Sequence, residues 1–101
     1  MSKHQPAKVR KDQILSAALS VAGTKNYRDV TREDVANAAG VSAGTVSLHF
    51  GTMSQLRRAV MRAAIKRELL KIVAQGLAAN DPHAKAAPAP LKQRAALSIA
   101  S

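Results

Sequence analysis

Between Thr31 and Thr52 the chain reads as two short helices joined by a glycine turn, and this stretch constrains the rest more than any other. Thr31 is a good N-cap, and Asp34 stands three residues on, where a carboxylate reaches back to the cap and suits the helix dipole. Val35, Ala38 and Ala39 recur at helical spacing and give the first helix one apolar face. Gly40 then falls where a helix ends in the left-handed conformation, which glycine adopts without steric cost. Ser42 is placed to cap the second helix, whose Val46 and Phe50 face inward four residues apart. Its outward positions, Ala43, Gly44, Thr45, Ser47 and His49, are small or polar.

Composition narrows what such a pair of helices is for. Tyr27 and Phe50 are the only aromatic residues, so the core is built from Ala, Val, Leu, Ile and Met, which suits closely packed helices better than a sheet. There are no cysteines, which excludes disulfides, thiolate chemistry and cysteine-containing zinc fingers. Sixteen Lys and Arg against six Asp and Glu leave a net charge of +10 on 101 residues, the balance of a chain with a polyanionic partner. No apolar run is long enough for a membrane span, and the N-terminus lacks the apolar core of a signal peptide. A helix, a glycine turn and a second helix with a small polar face form the helix-turn-helix that lays its second helix in a DNA major groove.

The residues themselves are more specific than their periodicity. The pattern V-A-x-A-A-G-V-S-x-G-T-V-S-x-H-F-G-T-x-x-x-L, from Val35 to Leu56, closely resembles the N-terminal DNA-binding domain of the tetracycline-repressor (TetR) family, and the resemblance extends over about residues 8–65. It implies an all-α fold: a three-helix helix-turn-helix head, an extended fourth helix and a short C-terminal tail. It also implies DNA contacts at Thr31 and Arg32 before and in helix 2, and at Ala43, Gly44, Thr45, Ser47 and His49 on the recognition helix. Thr52 and Met53 at the start of helix 4 are expected at a phosphate, with Arg57 one turn on. Gly44 lets the backbone approach the duplex, and Thr45 offers a hydroxyl and a methyl. Two departures stand out. The family often has tyrosine where Ser47 stands and a basic residue where Met53 stands, so hydrogen-bonded base readout is expected to be sparse and shape to carry more of the specificity.

Taken in order, residues 1–8 read as a flexible basic arm whose Lys8, with Arg10 just beyond it, is expected to reach phosphates or a minor groove. Residues 9–79 read as the DNA-binding domain. In it helix 1 runs from about Val9 to Ala22, and helix 4 starts at Met53 and shows no break before Gly76. Leu56, Val60, Ala63 and Ala64 close the head. A second stripe beyond it, including Ile65, Leu69, Ile72, Val73 and Leu77, requires either a second chain or a fold-back of the tail, and a homodimer interface is the expectation. Residues 80–101 read as a Pro/Ala-rich linker followed by a short helix or tail.

The functional expectation is a sequence-specific dimeric regulator of transcription, acting as a repressor on a palindromic operator. Fewer than forty residues follow the head, too few to enclose a drug-sized pocket, so no small-molecule inducer is expected. The alternatives are a non-specific architectural DNA protein and a protein-interaction module of the antirepressor kind. No nucleophile–base set, paired carboxylates or phosphate-binding glycine loop points to an enzyme. The three histidines, His4, His49 and His83, lie too far apart in sequence to suggest a metal site, and no cofactor or membrane partner is implied. The expected location is the cytosol, on DNA.

Overall fold

A computed structural model describes residues 6–100 of the chain. Regular structure among the described residues is entirely helical: α1 (Ala7–Thr24), a single 3-10 turn (Tyr27–Asp29), α2 (Arg32–Ala39), α3 (Ala43–Phe50), α4 (Met53–Lys66), α5 (Leu70–Ala78), α6 (Pro82–Lys85) and α7 (Ala89–Ala100). Lys3 and His4 of the expected arm lie outside the described residues. Helix α1 begins two residues earlier than its apolar spacing predicts, because Pro6 enters it with its carbonyl accepting from the Arg10 N–H at 3.1 Å. Lys8 therefore belongs to the first turn of α1 and not to an arm.

The head assembles as its caps dictate. Thr31 accepts from the Asp34 N–H while Asp34 accepts from the Thr31 N–H, and the same reciprocal box joins Thr52 and Gln55 at the start of α4. Ile14, Ala18 and Leu19 of α1, Val35 of α2, Val46 of α3 and Leu56, Val60 and Met61 of α4 form a continuous core. The inner face of α2 is turned slightly from the sequence reading, with Ala36 buried and Ala38 exposed.

Three helices end in the same way, and these ends set the path of the chain. In each, a residue in the left-handed conformation lets two successive N–H groups turn back onto the last-turn carbonyls. Gly40 (φ 71°) closes α2, Glu68 (φ 55°) closes α4 and Asn80 (φ 58°) closes α5. At Glu68 the bonds run from its own N–H to the Ile65 carbonyl (3.2 Å) and from the Leu69 N–H to the Ala64 carbonyl (2.8 Å). The long fourth helix expected from sequence is thus two helices, α4 and α5, with a break at Arg67–Leu69. The break lets α5 turn its apolar side back onto the chain's own core, where Ile72 (3 % exposed) and Val73 (0 %) are buried.

What covers α5 is the segment read as a linker. Asp81 caps α6, accepting from the His83 and Ala84 N–H groups, with Pro82 at the first helical position. Pro88 lies just before α7 and Pro90 in its first turn, where a missing N–H costs nothing. Ala84, Ala87, Leu91 and Ala95 make one buried stripe across the two helices. The expected dimer stripe is therefore largely an internal surface. Ile72 and Val73 are inaccessible to a second chain, and Ile65, Leu69 and Leu77 are only partly exposed, because a cis cover needs no second molecule to be present.

Side chains tie this C-terminal layer to the head. The Gln75 side chain accepts from the Tyr27 N–H (2.9 Å) and donates to the Ala22 carbonyl (3.0 Å), while the Lys71 ammonium donates to the Gly23 carbonyl (2.6 Å). The Tyr27 hydroxyl donates to Asp81 at 2.9 Å. The break itself is testable. A β-branched residue tolerates a positive φ poorly, so Glu68→Val is expected to lower stability by about 1–2 kcal/mol. Glu68→Gly is expected to stay within about 1 kcal/mol of the parent, since relief of strain offsets the added chain entropy and the loss of an exposed ion pair to Arg94. Thermal unfolding of both variants checks this, and equal losses would show that the left-handed turn is not what limits the site.

Candidate nucleic-acid interface

Helix α3 presents the surface around which the candidate site is built. Ser42 caps it, its hydroxyl accepting from the Thr45 N–H (3.1 Å), and the two hydroxyl oxygens lie 2.9 Å apart. Val46 is buried and Phe50 partly so, which fixes the helix's rotation about its axis. Gly44 and Leu48 then line the opposite side, four residues apart, with Ser47 toward one edge. Ala43, three residues before Val46 and seven before Phe50, is partly buried and packs against the core, so it does not join the outer face expected of it. Thr45 and His49 stand at the edges of this face. The Thr45 hydroxyl is already engaged with Ser42, which reduces its capacity to read a base. His49 turns toward a groove of about 650 Å³ between α1 and α4, whose walls include Lys11, Leu15 and Phe50. The Lys11 ammonium sits 5.3 Å from the centre of the Phe50 ring.

Leu48 is the residue of this face that sequence reasoning missed. It is 81 % exposed, the most exposed of the large aliphatics noted on the described surface. The signal was available: Leu48 stands two residues from Val46 and two from Phe50, which on a helix puts it about 200° from each. An aliphatic side chain on the outer face of such a helix is suited to a thymine methyl.

The flanking elements contribute donors and charge. Thr31 and Thr52 are exposed at the N-termini of α2 and α4, where the first-turn N–H groups and the helix dipole favour an anion. Met53 is partly buried there and packs against the core. The capping carboxylate of Asp34 would oppose an anion, but Lys25 pairs with it at 2.8 Å. That ion pair, followed by the bonds from Thr31, holds the Asp34 pKa down at about 2. Arg32 and Arg57 share a property: each has its Nε closed to solvent with no acceptor in the protein. A buried donor without a partner is costly, so these two arginines are the strained polar groups of the described surface. Lys8 is exposed and Arg10 partly buried on α1. Arg57 also borders a second cluster, with Arg28, Arg58 and His83, of which Arg28 and His83 were not singled out in sequence.

The structure thus puts Gly44, Thr45 and Ser47 on the outer face of α3 and its edges, and turns Ala43 toward the core and His49 toward the groove between α1 and α4. It exposes the N-termini of α2 and α4 as separate donors, and leaves Lys8 and Arg10 on α1. No helix among the described residues is long and apolar enough to cross a membrane.

Comparison with known proteins agrees with this construction. Residues 14–60 match the family model of bacterial regulatory proteins, tetR family. No curated protein and no solved structure matches the chain significantly. The matched stretch runs from the first core residue of α1, Ile14, through α2 and α3 to Val60 in the middle of α4, so it takes in the turn, the recognition helix and both capping boxes. Residues 14–60 therefore form the N-terminal helix-turn-helix domain of the tetR family of bacterial regulatory proteins, which supports a DNA-binding regulator of transcription.

Proposed function

We propose that the protein binds specific DNA sequences as a homodimer on a palindromic operator and represses transcription by occupying a promoter. The observation that carries this reading is the outer face of α3, where Gly44, Ser47 and an 81 % exposed Leu48 lie on a helix whose inner side is fixed in the core. Base discrimination is assigned to Thr45, Ser47 and Leu48, with Gly44 permitting close approach and His49 at the rim. Phosphate contact is assigned to Thr31, Arg32, Thr52, Arg57 and the first-turn N–H of Met53, with Lys8 and Arg10 from α1. Since Ile72 and Val73 lie in the chain's own core, the homodimer no longer rests on the α4–α5 stripe. Leu97 (68 % exposed) and Ile99 (64 %) on α7 offer aliphatic surface to a second copy instead.

The test is selection of bound duplexes from a random pool at near-physiological salt with competitor DNA. Enrichment of a palindrome, with half-sites about one helical turn or a multiple apart, is the expected result. Against the selected duplex, Arg32→Gln should weaken all sequences alike and flatten the salt dependence by roughly one charge. A second reading, an architectural DNA protein, has one observation in its favour: with the Thr45 hydroxyl engaged and Leu48 apolar, few hydrogen-bonding side chains remain on the face. Binding without enrichment would replace the first reading by the second.

A further inference from the structure

Three guanidinium groups stand around one cleft at the seam between the head and the C-terminal layer, and the fold uses none of them. Arg28 comes from the 3-10 turn, Arg57 and Arg58 from α4, and His83 from α6, with Ser54 of the first turn of α4 beside them; the cleft measures about 280 Å³. Among the described residues no hydrogen bond or ion pair engages the guanidinium of Arg28, Arg57 or Arg58. The Nε of Arg57 is shut off from solvent and has no acceptor in the protein. Burial, and then the bond to Asp81, push the Tyr27 pKa up to about 12, while Arg28 and Arg57 pull it down, so both guanidiniums lie within electrostatic reach of one hydroxyl.

The acid on the cleft does not cancel this charge. Asp81 has one carboxylate oxygen on the Tyr27 hydroxyl (2.9 Å) and the other on the N–H groups of His83 (2.8 Å) and Ala84 (3.2 Å). Three permanent cations against one engaged carboxylate leave a local excess of two positive charges. Tyr27 and Pro82 supply apolar lining, and Arg28, Ser54, Arg57, Arg58, Asp81 and His83 the polar groups. Three arginines with forked donors bordering one small cleft suit a tetrahedral oxyanion.

We propose that this cleft binds a phosphoryl group, and that His83 brings the C-terminal layer into the site. Where the phosphoryl group is a backbone phosphate of DNA, the inference rests on the functional reading above and widens the interface beyond the helix-turn-helix. Where it belongs to a free phosphorylated molecule, it stands independently of that reading.

The experiment titrates inorganic pyrophosphate into the full chain while following the Arg57 Nε–H resonance, for the parent and for Arg28→Gln, Arg58→Gln and His83→Gln. Arg28 and Arg58 are exposed and His83 partly so, and Tm values verify that the variants fold. A saturable shift is expected, with affinity at least about fivefold weaker in each arginine variant. Duplex DNA is then added. If it displaces pyrophosphate, and the arginine variants weaken selected and random duplexes alike by about three- to tenfold with a salt slope lower by about 0.9, the phosphate is the DNA's. If duplex binds and leaves the cleft's pyrophosphate affinity unchanged, the ligand is a free phosphorylated molecule. If pyrophosphate binds and no duplex does, the DNA reading falls and the cleft stands. No saturable shift, together with unaltered duplex affinity in all three variants, would overturn the proposal.

Discussion

Leu48→Glu is expected to abolish measurable sequence-specific DNA binding, by a factor of about 100 or more, while leaving the fold intact. The side chain is 81 % exposed, so its replacement removes almost no buried surface and should change unfolding free energy by less than about 0.5 kcal/mol. At the centre of the face assigned to the major groove, however, a carboxylate meets a strongly negative partner. Juxtaposed like charges cost several kcal/mol, and about 2.8 kcal/mol already corresponds to a hundredfold. Titration of the selected duplex at fixed salt, alongside thermal unfolding, gives both readouts. Leu48→Ala should be milder and should alter preference at one base-pair position, as expected for loss of a methyl contact. If Leu48→Glu bound the duplex as tightly as the parent, the outer face of α3 would not be the reading face.

Gly76→Val is expected to cost about 3 kcal/mol, the upper part of the range for overpacking, and to lower Tm by roughly 12–24 °C. Gly76 of α5 packs between Met61 of α4 and Ala84 of α6. A Cβ there would stand 2.5 Å from Cε of Met61 and 2.8 Å from Cβ of Ala84. Both neighbours are fully buried. The end of the Met61 side chain is flexible, but Ala84 yields only if the α6 backbone moves. A glycine inside a helix is normally less stable than alanine by about 0.5–1 kcal/mol, so Gly76→Ala tests the sign. Destabilisation by alanine would mean that the close approach outweighs helix propensity. Amide exchange should find α6 and α7 opening first in the valine variant. A valine variant melting within a few degrees of the parent would show that the C-terminal layer is not closely docked on the head.

The head was legible in the sequence because its signals are local. Thr31 with Asp34, Gly40, Ser42 and Thr52 with Gln55 each specify a cap or turn through bonds spanning three or four residues, and each is present in the fold. The outer face of α3 was legible for the same reason, although attention to polar positions passed over Leu48. The start of α6 was legible in principle: Asn80, Asp81 and Pro82 are a left-handed helix end, an N-cap and a first helical residue in succession. Their composition reads as a linker because proline breaks a helix interior, although it is equally suited to a helix start.

The break at Glu68 carried no such signal. Glutamate is a helix former with no preference for a positive φ, and nothing near it distinguishes a continuing helix from an ending one. What ends α4 is a contact made far along the chain. A straight helix would have left Ile72 and Val73 uncovered, and turning at Glu68 lets Ala84, Leu91 and Ala95 close over α5 within the same molecule. Burial worth about 1.5–3 kcal/mol for each large aliphatic exceeds a left-handed penalty of about 1–2 kcal/mol at one residue. The amino-acid sequence by itself determined the caps, the glycine turn, the recognition helix and so the family of the head. Tertiary structure alone decided where the fourth helix ends, that the apolar stripe is covered in cis, and that Arg28, Arg57, Arg58 and His83 meet at one cleft, because each depends on which distant surfaces come into contact.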